Sequence, residues 1–172
     1  IVTYRQQQAV ADAVVREMQA HGVKAAALPL DQSDSQSFTH FAADLQRLLR
    51  NDWQPEQLDI LVNNAGVGIK ASFAETTEAQ FDQLMNIHFK GVFFLTQQLL
   101  PLMADGGRIL NISTGLARFT PPRYAAYAAM KPAIETLTKY QPKELGARGI
   151  SVNVLAPGPT ATDFGGGHLP DD

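Results

Sequence analysis

Cysteine is absent from the 172 residues, which excludes a disulfide framework and a thiolate metal site. Basic residues are scattered, and 14 Lys and Arg against 17 Asp and Glu give a net charge of −3, so no electrostatic footprint for nucleic acid exists. No apolar run approaches the roughly 18 residues that a membrane-crossing helix requires. The N-terminus lacks the charged segment and apolar stretch of a secretory signal. A soluble cytoplasmic protein with no nucleic-acid or membrane partner is therefore expected. No Gly-x-x-x-Gly-x-Gly turn occurs anywhere in the chain.

What is present suffices for one domain spanning residues 1–172. Hydrophobic residues make up 45% of the chain, enough for a real core at this length. The pattern predicts strands near 1–4, 24–30, 58–62, 107–112 and 150–155, and helices near 6–21, 34–50, 77–103 and 122–146. Strands alternating with helices of this length imply βαβ units and a parallel sheet with helices on both faces. Pro132 and Pro142 fall inside the last predicted helix, where an interior proline costs about 3 kcal/mol, so a kink or break is expected there.

The sharpest local signal is Tyr127-Ala-Ala-Met-Lys131. Residues i and i+4 share a helix face, roughly 5–6 Å apart at Cβ. A cation held there favours a phenolate, and lowering a tyrosine pKa from about 10 by 2–3 units takes about 3–4 kcal/mol. Such a tyrosine exchanges protons with an alcohol or alkoxide near neutral pH. Four further stretches accompany it. Leu58 to Gly66 reads as a buried parallel strand ending in Asn63-Asn64-Ala65-Gly66, at the sheet edge where open α/β folds bind ligands. Asn86 lies in the apolar-periodic stretch from Glu78 to Met103, as a candidate buried amide that needs partners. His88 nearby forms no metal pattern and reads as a helix-surface or interface residue. Gly107 to Gly115 is a strand delivering the hydroxyls of Ser113 and Thr114. Ile150 to Thr162 runs into the rigid turn of Pro157-Gly158, with Thr160 and Thr162 beyond it.

Together these stretches resemble the short-chain dehydrogenase/reductase family, in the family's order and over nearly the whole chain. The resemblance implies a doubly wound, Rossmann-like α/β fold and a hydride-transfer reaction between NAD(P)H and a carbonyl or secondary alcohol. It implies that Tyr127 is the general acid/base, that Lys131 lowers its pKa and holds the nicotinamide ribose, and that Asn86 positions a water reaching Lys131. Asn63, Ala65 and Gly66 would belong to the adenine-side motif, Asp31 would contact adenine, and Pro157, Gly158, Thr160 and Thr162 would hold the nicotinamide side. A homodimer or homotetramer is implied for the helix at 77–103, which is apolar over more than one face.

Two departures stand out. The family's catalytic serine lies thirteen residues before the tyrosine, a position held here by Thr114, whose extra methyl stiffens χ1. Thr114 is the first candidate for that hydroxyl and Ser113 the second. Further, Ile1 to Arg5 reads as the family's second strand, so its first strand and glycine-rich phosphate turn, and its last strand, are expected to be missing. The sequence is thus expected to be the central portion of a reductase. Tyr4-Arg5-Gln6 carries no acid where NAD-preferring folds place one, which favours NADP through Arg5, with NAD second. A non-catalytic fragment or interaction module of the same fold is the alternative reading, and the substrate is not specified by any charge or shape signature.

Overall fold

The computed structural model describes residues 1–54, 56–158 and 160. Its strands are β1 (Val2–Tyr4), β2 (Ala27–Pro29), β3 (Leu58–Asn63), β4 (Met103–Ile112) and β5 (Ser151–Leu155). Its α-helices are α1 (Gln8–Ala20), α2 (Phe38–Asp52), α3 (Glu78–Met85), α4 (Gly91–Leu99) and α5 (Ala125–Leu145). All strand pairs are parallel, β1 with β2 and, in a second sheet, β3 with β4 and β4 with β5. Helices lie on both sides of these parallel sheets, as the alternating pattern predicts. The sheet is nevertheless divided, because among the described residues no strand lies between β1 and β3.

Each element ends where its sequence requires. Proline is tolerated on β2 because the strand has one partner only. Leu30 donates to the Tyr4 carbonyl, which turns the missing N–H of Pro29 toward the free edge. The start of α3 is a capping box: the Thr77 hydroxyl accepts from Gln80 N, and Gln80 Oε1 accepts from Thr77 N at 3.0 Å. After α5 the chain reverses at Gly149, whose φ of 65° is open to glycine and strained for other residues.

The region predicted as one helix over 77–103 differs in detail. Between α3 and α4 the helix widens into a π turn over Asn86–Lys90, with Gly91 N donating to the Asn86 carbonyl. After Leu102 the chain is already strand, and β4 bulges between the Met103 and Arg108 pairings with β3. By contrast α5 runs unbroken through Pro132 and Pro142. Side-chain anchoring offsets the lost backbone bonds: Asn111 of β4 donates to Thr138 Oγ1 at 2.9 Å and Gln141 Oε1 at 3.0 Å, on the turn leading into Pro142.

The main core packs α2 and α4 over β2 and β3, through Phe38, Phe41, Leu45, Leu49, Leu95 and Leu99. A second cluster, Met103, Ile109, Ile150 and Val152, lies under β4 and β5. A smaller one joins Leu84, Tyr127 and Met130. The opposite face of β3 leaves Ile60 and Val62 exposed at 59% and 50%.

Gly91 marks a tight crossing. A Cβ there would lie 2.3 Å from the Gln32 carbonyl oxygen and 2.7 Å from that of Asn86, so backbone must move to admit it. Gly91→Ala is expected to destabilise the fold by about 1–3 kcal/mol through overpacking, seen as a lower urea midpoint at unchanged slope. A stability within about 0.5 kcal/mol of wild type would contradict the close approach.

Candidate active site

The carboxyl end of β4 and the first turns of α5 bring three predicted residues together. Tyr127 is buried, and the Thr114 side chain hydrogen-bonds its hydroxyl. Lys131, one turn on, is also buried, with Nζ 5.8 Å from the Tyr127 ring centroid. Thr114 reaches this position from the start of the short turn Gly115–Ala117, where its hydroxyl also accepts from Leu116 N at 3.3 Å. Ser113 turns elsewhere: its hydroxyl donates to Glu135 Oε1 at 2.7 Å. Of the two candidate hydroxyls, Thr114 is therefore the one on the tyrosine.

The electrostatics correct one expectation. Lys131 was expected to pull the Tyr127 pKa down, yet burial of the phenol pushes it up, opposed by the Thr114 hydrogen bond. The reason is the direction of the ammonium, which donates to the Ile112 carbonyl at 2.8 Å. Desolvation lowers Lys131 itself from its usual range to about 8. At neutral pH the pair is thus a protonated phenol beside a buried cation.

Asn86 opens the π turn and is half-buried. The same turn carries His88 in the core of the chain, against its expected place on the helix surface or at an interface. His88 is 1% exposed, its ring packs edge-on to Tyr127 at 5.0 Å and 84°, and its Nε2 lies 2.7 Å from the Val67 carbonyl. Burial first, then the Lys131 charge, hold its pKa near 4, against the opposing Val67 contact. His88 is neutral, and the Nε2–H tautomer is the one that can donate to Val67.

A cavity of about 500 Å³ lies between the ends of β1 and β2 and the loop after β3. It is lined by four of the predicted cofactor residues, Arg5, Asp31, Ala65 and Gly66. Asp31 accepts from the Ser33 amide and hydroxyl at 2.9 and 2.6 Å. The Ser33 hydroxyl, with smaller help from Arg5, keeps its carboxyl below the usual range despite partial burial. A guanidinium, a carboxylate and exposed backbone on one wall suit a ligand bearing both anionic and hydroxyl groups. Asn63 is not on that wall. Its amide is buried and donates to Asn111 Oδ1 at 2.8 Å and Thr96 Oγ1 at 3.0 Å, a structural engagement. Pro157 and Gly158 lie beside Gly115, with Gly115 N donating to the Pro157 carbonyl at 2.9 Å. Thr160 donates to the Gly158 carbonyl at 3.2 Å, and Thr162 lies outside the described residues.

Sequence reasoning passed over Gln32 and Gly91, and it read His88 without seeing its contact with Tyr127. Gln32 is buried, donates to the Ile87 carbonyl at 3.2 Å and packs on Gly91. A glycine inside an apolar helical pattern was the available signal.

The histidine also sets a pH dependence. Its folded pKa of about 4 lies below the ordinary 6.5, so between these values the unfolded chain binds the extra proton and stability rises with pH. Wild type is expected to lose up to about 3 kcal/mol as pH falls through that window. His88→Phe should flatten this part of the profile in urea titrations, and an unchanged profile would show that His88 is not the group responsible.

Comparison with known proteins shows the family. The family model described as short chain dehydrogenase matches residues 1–171. A short chain dehydrogenase/reductase of Aspergillus novofumigatus, nsrJ, is 32% identical over 95% of this chain and 60% of its own length. The 3-oxoacyl-[acyl-carrier-protein] reductase of Synechocystis is 32% identical over 95% of this chain and 65% of its own. The crystal structure of the angucycline C-6 ketoreductase LanV with bound NADP superposes with a TM-score of 0.86 at 34% identity, covering 90% of this chain and 60% of that one. The chain thus spans less than two thirds of the length of these relatives. The chain belongs to the short-chain dehydrogenase/reductase family.

Proposed function

We propose that this chain is the core of an NADP-dependent oxidoreductase that interconverts a carbonyl and a secondary alcohol, working chiefly as a reductase. The carrying observation is the convergence of Thr114 and Lys131 on the buried Tyr127. A phenol kept protonated by burial is in the form that reduction needs, because the carbonyl oxygen must gain a proton as its carbon gains a hydride. NADPH, when bound, supplies that hydride. Tyr127 would give its proton to the substrate oxygen, with the Thr114 hydroxyl donating a hydrogen bond to the same atom. The cation of Lys131 would stabilise the phenolate left behind, and Asn86, at the opening of the π turn, would hold a water on the path that reprotonates it.

Arg5, Asp31, Ala65 and Gly66 would hold the adenosine side of the cofactor, since they share one cavity. Arg5 carries the preference for a 2′-phosphate, and the NADP bound by LanV supports it. The nicotinamide side would rest on Tyr127, Lys131, Pro157, Gly158, Thr160 and Thr162. An aromatic or apolar ketone fits the second cavity, of about 450 Å³, lined by Phe73, Leu116, Phe119, Pro121, Pro122 and Tyr124. Assembly into a homodimer or homotetramer and a cytoplasmic setting belong to the same proposal. The exposed Phe93 and Phe94 on α4 and Tyr140 on α5 support the assembly, and among the described residues no helix is long and apolar enough to cross a membrane. The divided sheet favours one alternative, a module of this fold that binds no dinucleotide.

Fluorescence titration with NADPH, on the 172-residue chain and on any longer product of its gene, separates the two readings. Binding by neither would sink the enzyme. Tyr127→Phe is expected to lower kcat for NADPH-dependent reduction of acetophenone by roughly 10²- to 10⁴-fold with nearly unchanged cofactor affinity; retained turnover would remove Tyr127 from the reaction. Arg5→Ala is expected to weaken NADPH binding by roughly ten- to a hundredfold and leave NADH nearly unaffected. Equal losses for both cofactors would refute the phosphate role.

A further inference from the structure

His88 is a buried polar group that the proton transfer proposed above does not use. Its Nε2 is engaged by Val67, while its Nδ1 is buried and, among the described residues, has no hydrogen-bond partner. An unmet buried acceptor lowers stability, and a phenylalanine or leucine of similar size would avoid that cost. Packing alone therefore accounts poorly for an imidazole here. What the imidazole does, and an apolar ring cannot, is connect two parts of the site. One face of the contact is the Tyr127 ring, edge-on at 5.0 Å. The other is Val67, whose carbonyl meets Nε2 and which as a residue lines the larger cavity with Ala65 and Gly66.

We propose that His88 is a positioning residue for the reaction: as a neutral imidazole it clamps the Tyr127 ring to Val67 of the loop bordering the cofactor cavity, holding proton donor and cavity wall at one fixed separation. The proposal rests on the oxidoreductase reading. Its logic is geometric, since small errors in the placement of reacting groups cost large factors in rate. The groups facing His88 are the Tyr127 hydroxyl-bearing ring and the Lys131 ammonium from α5, and the Val67 backbone from the loop after β3. Protonation would put a second cation beside Lys131 and turn Nδ1 into a donor with nothing to receive it, so the clamp works only while the ring is neutral.

Two substitutions test this. His88→Phe keeps an aromatic ring and loses the donor to Val67, whereas His88→Gln restores a donor near the Nε2 position. His88→Phe is expected to melt within a few degrees of wild type and lose roughly ten- to a hundredfold in kcat for acetophenone reduction with NADPH. Its KM for acetophenone should stay nearly unchanged, and His88→Gln should recover most of the loss. A second readout needs no turnover: ultraviolet difference titration, with the Tyr127 signal defined by subtracting Tyr127→Phe. In His88→Phe the Tyr127 hydroxyl is expected to titrate at least about one unit lower, because a freed ring is better solvated, and in His88→Gln at its wild-type position. An unchanged Tyr127 titration in His88→Phe overturns the proposal. So does a loss of kcat that merely follows a fall in melting temperature and is not recovered by glutamine. If the wild-type protein reduces no carbonyl, the oxidoreductase reading fails, and the titration still decides whether His88 positions Tyr127.

Discussion

Asn63 and Asn111 stand opposite each other in register on β3 and β4, joined by one amide hydrogen bond from Asn63 to Asn111, and each reaches outward to a different helix. Asn63 donates to Asn111 and to Thr96 of α4; Asn111 donates to Thr138 and Gln141 of α5. All four amide hydrogens are used. The network is completely buried at Asn111, where a single orphaned group costs about 1–3 kcal/mol, so the helices cannot slide along the sheet without breaking several bonds at once. Because α4 continues from the π turn that carries His88, and α5 carries Tyr127 and Lys131, this amide lattice fixes the two halves of the site relative to each other.

The π turn is the second determinant. One additional residue per turn shifts the phase of everything after it, and here the shift buries His88 and brings Gly91 under Gln32. The backbone crossing at Gly91 then ties the end of β2, where Asp31 and Gln32 lie, to the helix that faces Tyr127. The cavity wall and the Tyr127–Lys131 pair thus share one connection even though the two sheets make no strand pairing across the division.

Burial and hydrogen bonding act against each other at Tyr127. The ring belongs to an apolar cluster with Leu84 and Met130, whose burial raises its pKa against the Thr114 hydrogen bond, while Lys131 directs its ammonium at the Ile112 carbonyl. Helical spacing brings two residues to one face; it does not say where a four-carbon side chain points. The nearest carbonyl decided that.

The alternation of apolar runs and helical stretches made the element order legible, because it is a local property of each segment. Thr114, Tyr127 and Lys131 were legible too, since the strand end and the helix turn that carry them are adjacent in the chain. The sequence could not reveal that Asn63 serves the core rather than the cavity, since its partners Thr96 and Asn111 are 33 and 48 residues away. Nor could it place His88. Its inward orientation depends on a local widening of the helix, set by contact with Gln32 and with the loop after β3. By itself the sequence determined the strand and helix order and singled out Thr114, Tyr127 and Lys131 as a group; tertiary packing decided which amides are structural and which ring packs on Tyr127, because those outcomes depend on partners that only folding brings within contact distance.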